Sequence, residues 1–274
     1  MAWTQHLNGL QRPSPDTGPP GPAVAMVLVA AVGSTNDLAR RIAREYLEEA
    51  ERVPDAWVIA QEQLAGRGRR ERRWASPQGG IYLTRLLPLA QAEELADLPM
   101  LIPVALAETL ERHLDSPCRL KWPNDLMVDD AKLGGVLIEA LTRSDGSAVA
   151  LVGMGLNYQP PRLSVGSSEA PTRPVTSVLE HSAAPPPLAD LSGELMRGVD
   201  RFLAQPADPD DLLRRYRRRS LHKAGDHLVC RVGEEVLEGE LVAFEANGSL
   251  RLRVSGEERR LSAGEIIEFH SLRS

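Results

Sequence analysis

The sequence predicts an α+β protein: a mixed β-sheet packed with helices over residues 23–220, followed by a small C-terminal β-barrel over residues 221–274. Three observations carry this prediction. Apolar runs of strand length alternate with helical periodicities from Ala25 to Leu114, strands dominate from Arg119 to Val152, and past Ser220 to Gly225 the chain turns to short strand-like runs between turn residues. A length of 274 residues suits one large domain with a small one.

Residues 1–22 hold Gln11-Arg12-Pro13-Ser14-Pro15 and Gly18-Pro19-Pro20-Gly21-Pro22, too few apolar groups to offset ordering entropy, and read as a disordered leader. No pair of helical periodicities precedes Ala23, so a helix-turn-helix is not expected there. Ala25 to Ala31 reads as a buried strand. Ser34-Thr35-Asn36 offers side-chain oxygens to cap a helix on which Leu38, Ile42, Tyr46 or Leu47, and Ala50 recur, ending before Pro54. Trp57 to Ala60 and Ile81 to Leu86 read as strands, with a long Gly- and Arg-rich loop between them of the kind that serves binding. Leu98, Leu101, Ala105, Leu110 and Leu114 mark a second helix whose start is blurred by Pro99 and Pro103. Strands follow at Arg119 to Trp122, Val136 to Glu139 and Ala148 to Val152. Gln159 to Pro187, rich in Pro and Ser, reads as a surface segment, and helices follow from Leu188 and from Leu212. The final strands are Leu228 to Val232, Val236 to Phe244, Leu250 to Val254 and Ile266 to Phe269, with a turn at Asn247-Gly248.

Composition narrows the function. A hydrophobic share of 42% without a bilayer-length apolar run argues against a membrane protein, and a net charge of −6 argues against coating nucleic acid by bulk charge. Cys118 and Cys230 have neither disulfide-framework nor zinc spacing, which makes the cytoplasm the default location. The histidines are scattered, so zinc catalysis has little support.

Three segments concentrate chemistry. Gly66-Arg67-Gly68-Arg69-Arg70-Glu71-Arg72-Arg73-Trp74 joins flexible backbone to fixed cations suited to phosphate or carboxylate; the alternative is a solvated basic loop. Lys121-Trp122-Pro123-Asn124-Asp125 and Lys132-Leu133-Gly134-Gly135 fit a hairpin that brings two lysines to one end of the sheet, where they could stabilise phosphoryl or acyl charge; surface lysines on an ordinary hairpin fit equally. Gly153-Met154-Gly155-Leu156-Asn157 ends a strand with two side-chain-free positions, open to a ligand or marking a bend. A further run, Arg214 to Arg219, reads as a solvated helix end.

Taken together and in this order, these motifs resemble those of the biotin protein ligases, in the form that lacks the N-terminal DNA-binding domain. Ser34-Thr35-Asn36 and Gln63 fit the same pattern, and the C-terminal segment looks like the family's SH3-like domain. The resemblance implies two steps: ATP and biotin give biotinyl-5'-adenylate with Mg²⁺, and a lysine of a biotin carboxyl carrier protein, such as a subunit of acetyl-CoA carboxylase, takes the biotinyl group. It also implies residue roles. Ser34, Thr35, Gln63, Gly66, Arg67, Lys132, Gly134, Gly135, Gly153 and Gly155 would surround biotin, and Arg69, Arg72, Trp74, Lys121, Asn124 and Asn157 would hold ATP or the adenylate. Lys132, Arg69 and Arg67 would be catalytic, with Asp125 on the metal side. Glu71 departs from the family, standing where many members carry glycine. A homodimer through the catalytic sheet is one arrangement the resemblance allows; specific DNA binding and membrane attachment are not expected. The competing readings are a lipoate or octanoate ligase or transferase and a biotin-responsive DNA-binding regulator.

Overall fold

The computed structural model describes residues 24–49, 52–160, 174–205 and 208–270; the expected leader lies outside them. Among the described residues twelve strands and four α-helices run in the order β1 (Ala25–Val32), α1 (Thr35–Glu48), β2 (Ala56–Gln63), β3 (Ile81–Leu89), α2 (Leu98–Leu110), β4 (Cys118–Lys121), β5 (Asp125–Val128), β6 (Ala131–Thr142), β7 (Ala148–Leu156), α3 (Leu188–Ala204), α4 (Pro209–Arg219), β8 (His227–Val232), β9 (Glu235–Phe244), β10 (Leu250–Val254), β11 (Glu257–Leu261) and β12 (Glu265–His270). One sheet has strand order β1-β2-β3-β7-β6-β5-β4, the other β11-β10-β9-β8-β12. The first is mixed, with β1 parallel to β2 and β2 antiparallel to β3; in the second the β8-β9, β9-β10, β10-β11 and β8-β12 pairs are antiparallel.

The chain forms two compact units. The first holds β1, α1, β2, nearly all of β3, and the segments Leu137 onward of β6 and up to Met154 of β7. Helix α1 is amphipathic, and its Leu38, Ala39 and Ala43 meet Val58, Leu86, Val149 and Leu151 in the core of this unit. Ser34 stands at the α1 N-cap without a side-chain cap bond; the Thr35 amide instead donates to Gln63 Oε1 at 2.9 Å.

The second unit holds α2, β4, β5, the start of β6, α3, α4 and the five-stranded sheet. Helix α2 is buried almost all round, and it admits Pro99 in its first turn, where the missing N–H would have no partner anyway. The Arg-rich α4 is only in part the solvated end that its sequence suggests: Arg214, Arg217 and Arg218 are exposed, whereas Arg215 and Arg219 are half-buried. Arg215 makes a two-pronged bond to Glu108, at 3.0 and 2.7 Å, Arg219 bonds Glu111 at 2.8 Å, and Arg217 donates to the Phe244 carbonyl at 2.8 Å. The helix thus buries Leu212 and Tyr216 and adds charged bonds to the two glutamates at the C-terminal end of α2.

Candidate active site

The Gly- and Arg-rich segment has its own structure. Gln63 and Ser76 form an antiparallel bridge, as do Arg67 and Arg73; the Trp74 amide donates to the Gly66 carbonyl at 2.8 Å and the Gly68 amide to that of Arg72 at 2.7 Å. The segment is a hairpin with a 3-10 turn, Arg69–Glu71, at its tip, where Arg70 has a φ of +54°. The left-handed residue is therefore Arg70, next to the Glu71 that departs from the family pattern.

Arg67 does not project alone. Its Nη2 bonds Asp37 of α1 and lies 3.3 Å from Glu139 Oε2 of β6, and Arg40 reaches Glu139 Oε1 at 2.6 Å. Asn36 Nδ2 donates to Glu139 Oε2 at 2.8 Å. Burial opposes the Glu139 charge, but the hydrogen bonds from Asn36 and Arg40 and the charges of Arg40 and Arg67 outweigh it and hold this carboxyl below its usual range.

Behind this pair runs a line of polar groups. Thr84 Oγ1 lies 2.7 Å from Asn36 Oδ1 and 2.8 Å from Thr35 Oγ1; Thr35 Oγ1 lies 3.0 Å from Gln63 Oε1; and Gln63 Nε2 donates to Ser76 Oγ at 2.8 Å. Two of the glycines that the resemblance assigns to the biotin site sit against this line. A Cβ on Gly66 would lie 2.4 Å from Ser76 Oγ, and one on Gly153 2.4 Å from Asn36 Oδ1.

In the second unit, Lys121 pairs in register with Asp125, and Asp125 with Gly135. Asp125 is thus in a strand and not in the turn that its sequence neighbours suggest, and the turn is confined to Trp122-Pro123-Asn124, with a cis Trp122-Pro123 bond. Lys132 Nζ lies 2.6 Å from Asp125 Oδ1. Asn124 Nδ2 donates to the Val136 carbonyl at 2.7 Å. A Cβ on Gly134 would lie 2.6 Å from the Gly155 carbonyl oxygen, whereas one on Gly135 would meet Asn124 O at 3.4 Å and Asp125 Oδ1 at 3.6 Å. Close strand approach therefore accounts for Gly134, and Gly135 has space around it.

A Biotin/lipoate A/B protein ligase family model matches residues 29–157. These residues form a biotin/lipoate ligase domain. Over 221 residues the chain is 29% identical to a biotin--[acetyl-CoA-carboxylase] ligase of Paracoccus denitrificans, covering 77% of this chain and 90% of the relative. It is also 29% identical, over 255 residues, to the ligase of the same name from Mycobacterium tuberculosis, covering 88% and 87%. The solved biotin protein ligase from Aquifex aeolicus in complex with biotin and ATP shares the fold, with a TM-score of 0.65 at 24% identity over 91% of this chain and 99% of that one.

Sequence reasoning missed several polar groups of the ligase domain. Asp37, Thr84 and Glu139 each stand in an otherwise ordinary helix or strand pattern and give no motif signal. Asn157 Nδ2 donates to the Thr176 carbonyl at 3.0 Å, and the main chain of Lys132 bonds that of Pro174 and Thr176, each at 2.9 Å. The Pro- and Ser-rich composition around Thr176 suggests a surface segment; Thr176, Ser177 and Val178 are buried instead, because they satisfy the backbone of Lys132 and Asn157.

Proposed function

We propose that the chain is an ATP-dependent ligase that activates biotin as biotinyl-5'-adenylate and transfers the biotinyl group to a specific lysine of a biotin carboxyl carrier protein. The observation that carries this reading is similarity to a biotin--[acetyl-CoA-carboxylase] ligase over 90% of that relative's length. In this reading residues 23–220 form the catalytic domain and 221–274 a small β-domain.

In the first step a carboxylate oxygen of biotin attacks the α-phosphorus of ATP and pyrophosphate leaves. Two anions must approach, so fixed cations lower the barrier. Arg69, Arg72, Lys121 and Lys132 are the groups we assign to the phosphates and the biotin carboxylate, with Lys132 oriented by Asp125. Asp37 and Glu139 already offset the charge of Arg67, so its role is to set the hairpin along the ligand. Thr35 and Gln63, with Ser34 beside them, present polar atoms to the biotin ring system, while Trp74, Asn124 and Asn157 belong to the nucleotide. In the second step the carrier lysine attacks the acyl carbon and AMP leaves.

Among the described residues no group of three His, Cys, Asp or Glu side chains could hold a metal ion. Mg²⁺ takes most of its ligands from phosphate and water and needs one or two carboxylates at most, so a single acid such as Asp125 is consistent with magnesium entering as part of the ATP substrate. Transfer of labelled biotin to a carboxyl-carrier domain, with and without ATP, tests the proposal. ATP-dependent labelling of one lysine is expected, and calorimetric binding of lipoate with none of biotin would overturn it.

A further inference from the structure

The buried polar line in the first unit has more acceptors than protons. Asn36 must turn its Nδ2 to Leu137 O and Glu139 Oε2, at 3.3 and 2.8 Å, because both are acceptors; its Oδ1 therefore faces Thr84. Gln63 must turn its Oε1 to Thr35, because the Thr35 backbone N–H donates to it and its Nε2 donates to Ser76 Oγ. Between these fixed ends stand three oxygen-to-oxygen approaches, Asn36 to Thr84 at 2.7 Å, Thr84 to Thr35 at 2.8 Å and Thr35 to Gln63 at 3.0 Å. The two hydroxyls supply only two protons.

Among the described residues Asn36 Oδ1 accepts from nothing else, so Thr84 gives its proton there. Thr84 then accepts from Thr35, and the shortfall falls between Thr35 Oγ1 and Gln63 Oε1. Thr84 is 0% exposed, Asn36 2% and Thr35 4%, whereas Gln63 is partly exposed, so a compensating donor can come only from the Gln63 side. We propose that Thr84 is a specificity-determining positioning residue: by drawing the Thr35 proton inward, it leaves Thr35 and Gln63 as paired acceptors that select a ligand presenting an N–H group. The inference rests on the reading of the chain as a biotin ligase and deepens it. The ureido ring of biotin carries N–H donors, whereas a dithiolane or an alkyl chain carries none, so the same proton count separates the two substrate classes of the family. Leaving a buried acceptor unpaired is costly, which is why sites built this way reject analogues that lack the donor.

The test is calorimetric titration of wild type, Thr84→Val and Thr84→Ser with biotin and with a cyclic carbamate analogue in which ring oxygen replaces one ureido N–H. Wild type is expected to prefer biotin by about tenfold or more. In Thr84→Val the Thr35 proton turns to Gln63; biotin should bind about tenfold more weakly and the preference should fall to about threefold or less, with Thr84→Ser restoring both. A merely structural role would weaken both ligands alike and leave the preference intact. An unchanged preference in Thr84→Val overturns the inference while the ligase reading stands; wild type that binds no biotin overturns both. Should Thr84→Val not fold, equal affinity of wild type for biotin and the carbamate overturns it.

Discussion

Replacing Gly153 with alanine tests the buried polar line from the opposite side, without replacing any of its members. The added Cβ would lie 2.4 Å from Asn36 Oδ1, 3.0 Å from its Cγ and 3.1 Å from its Nδ2, so the amide must move as a whole. Asn36 would lose its bond from Thr84, worth about 1 kcal/mol, and its charge-assisted bond to Glu139, worth about 1.5–3 kcal/mol. Against this, alanine restricts the unfolded chain and returns about 0.4–1 kcal/mol. The net expectation is a loss of about 2–3 kcal/mol, or roughly 4–5 °C in thermal midpoint for a chain of this size. Urea unfolding measures it. Gly135→Ala is the control, since its Cβ meets nothing nearer than 3.4 Å and should cost less than about 1 kcal/mol. A Gly153→Ala protein within about 0.5 kcal/mol of wild type would refute the close-approach argument.

Lys132→Ala should reduce pyrophosphate release from biotin and ATP by about a hundredfold or more, while biotin affinity changes by about threefold or less; equal release rates would remove Lys132 from the first step. Glu139→Gln should destabilise the protein at neutral pH. Because the folded carboxyl lies below its usual range, its contribution is complete above about pH 5 and is lost as the pH falls through the folded value, so wild-type and variant unfolding midpoints should converge in acid. Burial pushes the Cys118 thiol up to about 12, with the Glu111 charge adding to it, and burial pushes Cys230 up to about 11. Neither should react with a disulfide reagent at pH 8 in the native protein, and both should react once it is unfolded; fast native reaction would contradict their placement in the core.

Elements with a strong period are legible in the amino-acid order alone, such as the spaced Leu38, Ile42 and Tyr46 of α1 and the alternating strands around Asn247-Gly248, whereas the apolar run of β1 locates a strand but not its burial: β1 is an edge strand with no buried residue and Leu28 61% exposed. Strand β11 is not, because Glu257 to Arg260 are charged and exposed, as suits an edge strand that must not recruit a neighbour. Strand β5 is only four residues long and opens directly after a Pro-Asn pair that reads as a turn. Of the proposed site, the motifs disclose residues whose chemistry is visible alone, such as Lys132 and Arg69. They cannot disclose Thr84, a single threonine beside Tyr82 and Arg85 in the strand Ile81 to Leu86, since its part depends on which way two amides face across the unit. The same limit applies to Gly66 and Gly153, whose need for a missing side chain is set by Ser76 and Asn36.

The hairpin between Gln63 and Ser76 has a thermodynamic consequence. Fixing the backbone of one residue takes roughly 1–2 kcal/mol, so a structureless segment of that length would consume more than about ten kcal/mol of ligand-binding energy when it folded over a substrate. Here the cross-strand bonds at Gln63, Gly66 and Gly68 and the Arg69–Glu71 turn have already done most of that ordering, so little of it would be left to an anion bound as we propose. Affinity that would have vanished into chain entropy remains to hold a reactive intermediate.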